Sequence, residues 1–232
     1  MLECWQAIES PRNHAIMKTI AVISQKGGAG KTTIALNLAV AAVRSGHQCA
    51  VIDIDPQASA KCWHDLRQDD APVVVSAQAA RLPEIIQTAE QNGAALVIID
   101  TAPHSESAAL AAARLTDLVL VPCRPSLLDL KAITTTIDLA ALARTQALAV
   151  LNTVPVRGGL KGDAEQVLKS YGVETAPVTL GHRIAFVHSL TAGQGVLEYE
   201  PSGKAAEEIS ALFRSICTHC RWNELIEKRG RQ

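Results

Sequence analysis

The chain has 232 residues, of which 48% are hydrophobic and only 3% aromatic. That size gives one domain with a large core, and the core has to be packed from Ala, Val, Leu and Ile. A formal net charge of −1 excludes a globally basic nucleic-acid binder, so any DNA contact must come from a local patch.

Residues 1–16 contain Glu3, Glu9, Arg12 and His14. This is not signal-peptide composition, and it reads as a short unstructured N-terminal extension or an over-called start codon ahead of a strand start at Met17-Lys18-Thr19-Ile20. From there, apolar strand-like runs occur at 19–24, 49–54, 73–75, 95–100, 117–122, 147–152 and 177–180. Helical patterns lie between them near 31–45, 58–68, 81–91, 105–115, 126–144, 161–171 and 203–219. Alternation of this kind, with strands written as continuous aliphatic runs, predicts an α/β fold. The sheet is doubly wound and mostly parallel, with helices on both faces. The domain is expected to span 17–220, leaving 221–232 as a tail. Functional loops should lie at the carboxyl ends of the strands.

The first strand runs directly into Lys26-Gly27-Gly28-Ala29-Gly30-Lys31-Thr32-Thr33 and then into the helical pattern from Ile34. Strand, glycine-rich turn and helix is the setting in which backbone N–H groups wrap a phosphate chain. Gly27, Gly28 and Gly30 allow close approach and positive φ. Lys31 is placed for the β/γ-phosphates, and the Thr32 hydroxyl for a Mg²⁺ shell. The expected ligands are ATP and Mg²⁺. Lys26 is a second cation at the front of the same loop. On position alone, it is either a solvated loop lysine or a cation reaching across the phosphates, even out of its own subunit.

Asp53 and Asp55 point the same way if their strand continues. Asp53 would then stand in the outer shell of the metal, and Asp55 would orient or deprotonate the attacking water. The competing reading makes Asp55 the opening of an Asp-Pro turn. Asp100 ends the buried run Leu96–Ile99, where a carboxylate needs a partner that a metal shell supplies. Asn152 closes a strand and is either a turn residue or a donor and acceptor for a base. Six cysteines without framework spacing read as a reduced, cytoplasmic protein. Cys217-Thr218-His219-Cys220 has the spacing of half a zinc site, but it shares an apolar helical stripe with Ile209, Leu212, Phe213 and Ile216.

Lys26 to Thr33 resembles the deviant Walker A motif of the ParA/MinD superfamily of ATPases. Asp53-Ile54-Asp55-Pro56-Gln57 is similar to that family's D-x-D-P-Q segment, Leu96 to Pro103 to its Walker B, and Asp117 to Ser126 to a region at its dimer face. The stretch from about Met17 to about Leu212 carries the resemblance, and the short ParF-type partition ATPases look nearest. The resemblance implies an ATPase of weak basal turnover whose Lys26 reaches the partner's nucleotide in an ATP-dependent homodimer. Catalytic Lys26, Lys31 and Asp55 follow from it, as do metal-shell Thr32, Asp53 and Asp100 and a base-reading Asn152. Arg183 matches an arginine supporting non-specific DNA binding. The implied function is plasmid or chromosome partition on the nucleoid with a small centromere-binding partner of ParB/ParG type. The alternatives are a positioning ATPase with a cargo adaptor, for a chemoreceptor cluster or carboxysome, and a MinD-like membrane cycle. The tail, with Trp222, Leu225 and Ile226 but also Glu224 and Glu227, is a weak membrane signal.

Overall fold

A computed structural model describes residues 17–155 and 157–222; the expected extension 1–16 and the tail beyond Trp222 lie outside them. Seven strands form one sheet: β1 Lys18–Val22, β2 Cys49–Asp53, β3 Val73–Ser76, β4 Leu96–Asp100, β5 Leu118–Cys123, β6 Gln146–Leu151 and β7 Glu174–Thr175. Their order is β3-β2-β4-β1-β5-β6-β7, and every pairing is parallel.

The two-residue period of a strand sends alternate side chains to opposite faces. Ile20, Val22, Val51 and Ile98 enter one apolar cluster; Ala21, Ile23, Ile52 and Ile99 enter the other. Helices α1 Lys31–Arg44, α2 Ser59–Asp65, α8 Ile184–Thr191, α9 Val196–Tyr199 and α10 Lys204–His219 contribute to the first cluster. Helices α3 Leu82–Gln91, α4 Glu106–Ala113, α5 Leu127–Ala132, α6 Thr134–Ala143 and α7 Leu160–Ser170 contribute to the second. The doubly wound parallel architecture expected from the sequence is therefore the observed one. Among the described residues no helix is long and apolar enough to cross a membrane.

Two expectations are corrected. The helix expected over 126–144 is divided at Ile133. There the Thr134 hydroxyl donates to the Lys131 carbonyl at 2.9 Å, a side-chain bond that competes with the helical ladder. The strand expected at 177–180 is replaced by the short β7 upstream. Pro177 has no N–H to give a ladder, and the chain reattaches only when Leu180 N–H donates to Leu151 O at 2.9 Å.

Register brings the site together. Asp100 is opposite Asp53 on one side and Val22 on the other. Both carboxylates and the start of the glycine-rich loop thus share one level at the carboxyl edge of the sheet.

Candidate nucleotide-binding site

The loop between β1 and α1 turns on Gly28 and Gly30, whose φ values are +72° and +94°. A side chain at Gly30 would be strained by its backbone, and its Cβ would also lie 2.1 Å from Asn152 Nδ2. The helical ladder of α1 starts with Ile34 N–H donating to Gly30 O at 3.0 Å. The amides of Lys31, Thr32 and Thr33 precede that ladder and have no intrahelical acceptor, the arrangement that receives an anion.

Lys31 is buried. Desolvation lowers its pKa, while the charges of Asp100 and Asp55 pull it back up. Asp100 is fully buried, and its Oδ2 accepts from Thr32 Oγ1 at 2.6 Å. Burial pushes its carboxyl up to about 7; the Thr32 bond and Lys31 oppose this, and the charges of Asp53 and Asp55 add to it. Asp100 Oδ1 has no hydrogen-bond partner although it is buried. An orphaned buried carboxylate oxygen beside a threonine hydroxyl and a lysine fits a hard, oxygen-seeking cation with its waters.

Asp53 is held by the segment that follows it. Its Oδ1 accepts from Asp55 N–H at 3.0 Å, and its Oδ2 accepts from the amides of Ala60 at 2.9 Å and Lys61 at 3.3 Å. The carboxylate thereby staples the loop after β2 to the start of α2. Asp55, half-buried, accepts from Gln57 N–H at 2.9 Å. The turn reading of Asp55 is thus realised, and the carboxylate still lies close enough to act on Lys31 and Asp100.

Asn152 Nδ2 donates to Ala29 O at 2.8 Å and its Oδ1 accepts from Thr153 N–H at 2.8 Å, so one end of the amide braces the glycine-rich loop and the other closes onto the next residue, as the turn reading has it. Arg183 is no free cation. It meets Glu208 of α10 through Nε at 3.0 Å and Nη2 at 2.6 Å, which cancels its charge locally.

Lys26 Nζ lies 2.8 Å from Asp129 Oδ1 of its own chain. Asp129 is largely buried on α5, where Ser126 caps the helix and hydrogen-bonds the carboxylate. Burial raises the Asp129 pKa, but the bonds from Lys26 and Ser126 outweigh it and hold the carboxyl below its ordinary value. Arg124 donates to the Gly28 carbonyl, tying β5 to the loop. Sequence reasoning missed Asp129 and Arg124; the spacing of Ser126 and Asp129 at a helix start was the available signal. An open polar cavity of about 510 Å³, lined by Gln25, His104, Ser105, Glu106, Ser107 and Thr135, adjoins the front of the loop.

Cys123 is buried, and burial with nearby Asp129 pushes its thiol up to about 12, an inert state. Among the described residues no group of three or more His, Cys, Asp and Glu side chains is arranged to hold a metal, and Cys217 and Cys220 pack with the apolar stripe of α10.

A glycine-rich loop opening a helix at the edge of a parallel sheet, with a buried carboxylate opposite, defines a P-loop nucleotide-binding protein. The family model described as the CobQ/CobB/MinD/ParA nucleotide binding domain matches residues 20–192, and the chain belongs to that family. "Maintenance of carboxysome distribution protein A" of Gloeobacter kilaueensis is 32% identical over 211 residues, 86% of this chain and 92% of that protein. "Sporulation initiation inhibitor protein Soj" of Bacillus subtilis is 24% identical over 250 residues, 87% of this chain and 99% of that one. Among solved structures, septum site-determining protein MinD of Pyrococcus horikoshii, complexed with Mg-ADP, superposes with a TM-score of 0.73 at 18% identity, covering 87% and 96% of the two chains.

Proposed function

We propose that this chain is a Mg²⁺-dependent ATPase that dimerises around ATP and uses hydrolysis to time its release from a surface along which a cargo is positioned. The observation that carries the reading is Lys26. It stands at the front of the phosphate loop, 2.8 Å from Asp129, with Leu127 and Leu128 exposed beside it on α5. A cation held by one exchangeable ion pair next to exposed apolar side chains suits a face that a second copy covers once nucleotide is bound.

In this reading the loop amides and Lys31 hold the phosphates. Thr32 and Asp100 would hold Mg²⁺, which when bound would neutralise charge on the phosphates. Asp55 orients the attacking water, and Lys26 of each copy leaves Asp129 to reach the other copy's phosphates. The ParA-like relatives support the cycle. The near full-length match to the carboxysome distribution protein favours a protein cargo reached through an adaptor. The match to Soj and to "Chromosome partitioning protein ParA" of Caulobacter vibrioides over about half of this chain favours the second reading, DNA segregation with a small centromere-binding partner.

Nucleoid DNA is the proposed surface. Because Arg183 is paired with Glu208, and Lys161 and Lys204 with Glu165 and Glu207, the affinity should be weak and steeply salt-dependent. Light scattering after sizing chromatography tests the core of the proposal. The wild type should become a dimer with Mg-ATP and not with Mg-ADP, and Lys26→Ala should bind ATP yet stay monomeric. A Lys26→Ala dimer of normal strength would refute it.

A further inference from the structure

The glycine-rich loop and the Asp55 turn are carried by different helices, and both helices are tied to a third segment remote from the phosphates. On α1, Asn37 is a buried amide in an otherwise Ala- and Leu-rich helix. Its Nδ2 donates to Thr33 O at 2.8 Å and its Oδ1 accepts from Val196 N–H at 2.8 Å. Thr33 follows the proposed metal-holding Thr32, so this amide joins the end of the phosphate loop to the start of α9. Gly195, just before α9, comes so near α1 that a Cβ there would lie 3.0 Å from the Val40 side chain.

At the other side, α2 starts where Asp53 holds Ala60 and Lys61 and ends two residues before Arg67. Only 3% of the Arg67 side chain is exposed. Its guanidinium meets Glu198 at 2.8 and 2.9 Å and donates to Gly193 O at 2.9 Å and Ala71 O at 2.7 Å. It also lies over the Trp63 ring at 4.6 Å. Trp63 Nε1 donates to Gln194 O at 3.2 Å, and Glu198 accepts from Gly195 N–H at 2.8 Å. Gly193, at φ +67°, touches the backbone of Leu66 so closely that a Cβ would sit 2.8 Å from it.

We infer that Gly193–Glu198 is a brace that fixes the spacing between the phosphate loop and the Asp55 turn, and that Asn37, Arg67 and Glu198 are positioning residues for hydrolysis. A buried ion pair is a poor device for stability alone, because apolar replacements are often as stable. A planar bidentate fork does impose geometry. Helix α2 is a strut of seven residues, about 10 Å long. Its far end is clamped by Arg67 and Trp63, and its near end carries the turn that aims Asp55. Misplacing a reacting group by about 1 Å can cost on the order of 100-fold in rate.

The inference rests on the ATPase reading above, and its test separates the two. Steady-state hydrolysis and binding of a fluorescent ATP analogue are measured for the wild type, Glu198→Ala, Glu198→Gln and Trp63→Phe, with circular dichroism reporting the folded fraction. Glu198→Ala should lose about tenfold or more in kcat while analogue affinity changes by less than about twofold. Glu198→Gln, which keeps one acceptor oxygen for Gly195 and Arg67 Nη1 but turns an amide NH2 toward Arg67 Nη2, should recover only part of the rate. Trp63→Phe, which deletes the indole N–H that holds the Gln194 carbonyl and leaves an aromatic ring beneath Arg67, should lose kcat several-fold at unchanged affinity; it decides the matter if Glu198→Ala does not fold. A wild type without turnover sinks the ATPase reading and this inference together. A working wild type beside an equally fast Glu198→Ala, or equally fast Trp63→Phe, sinks the brace alone, as does a rate loss matched by lost affinity or lost folded protein.

Discussion

Gly30 and Asp100 make the strongest demands on single residues. At Gly30 the backbone has positive φ and the space for a Cβ is taken by Asn152. Gly30→Ala should cost about 1–2 kcal/mol from the left-handed backbone alone. Adding Asn152→Ala should return only the steric part of the loss, as read from chemical denaturation of the three variants. At Asp100 the sign follows from a carboxyl raised from 3.8 to about 7. The folded chain keeps a proton there that the unfolded chain has released, so stability without metal should fall as pH rises through that window. Melting curves from about pH 5 to about pH 8 should flatten in Asp100→Asn. Conversely, Mg-ATP binding needs the ionised carboxylate, so it should strengthen towards pH 7 and release a proton. Calorimetry in buffers of different ionisation enthalpy reads that proton; no release would refute the assignment.

For the elements, the instructive case is the junction of β2 and α2. Asp53 is the last residue of its strand and receives three amides from the next segment. Losing hydrogen bonds to a charged acceptor costs about 2 kcal/mol. Asp53→Ala should therefore destabilise the chain by roughly that amount and raise amide exchange across 54–61 before other segments. A variant with native exchange in α2 but lost metal binding would return Asp53 to the metal shell. The first six strands, the glycine-rich loop, α1 and the place of Asp100 at a strand end were legible in the sequence because each is encoded by a contiguous run with a clear period or motif. Asn37 to Val196 and Arg67 to Glu198 were not, because they join residues 159 and 131 apart in sequence. An isolated Asn or Arg in a helical pattern reads as an ordinary helix residue. The partners of Arg183 and Asn152, Glu208 and the Ala29 carbonyl, were not legible for a related reason: they become neighbours only through the tertiary fold. The short helices α8 and α9 went unseen because neither Arg183 nor Gly195 gives a polar side-chain cap.

For the whole molecule, on the proposed reading, the pair Lys26–Asp129 would set how readily two copies join. In the single chain Lys26 must give up Asp129 before it can reach elsewhere, and a partly exposed ion pair of this kind is worth about 1 kcal/mol or less. Asp129→Asn should weaken that hold. The protein concentration at which ATP induces dimers should fall by up to roughly fivefold per lysine, measured by sedimentation across a dilution series. Unchanged or weaker dimerisation would mean that Asp129 serves the face itself and does not restrain Lys26. The sheet order places this pair on the β5 side of β1 and both Asp53 and Asp100 on the β4 side. In the proposed dimer the loop from β1 would therefore join the part that meets the second copy to the part, at Asp100, that would hold the metal.

Trp63 has a practical consequence. The chain contains three tryptophans. Trp222 is packed against His47 and Phe213, while Trp63 lies beneath the Arg67 guanidinium, whose charge alters indole emission. Intrinsic fluorescence of a variant that keeps Trp63 as its one tryptophan would thus gauge, with no dye attached, whether α2 shifts when nucleotide binds.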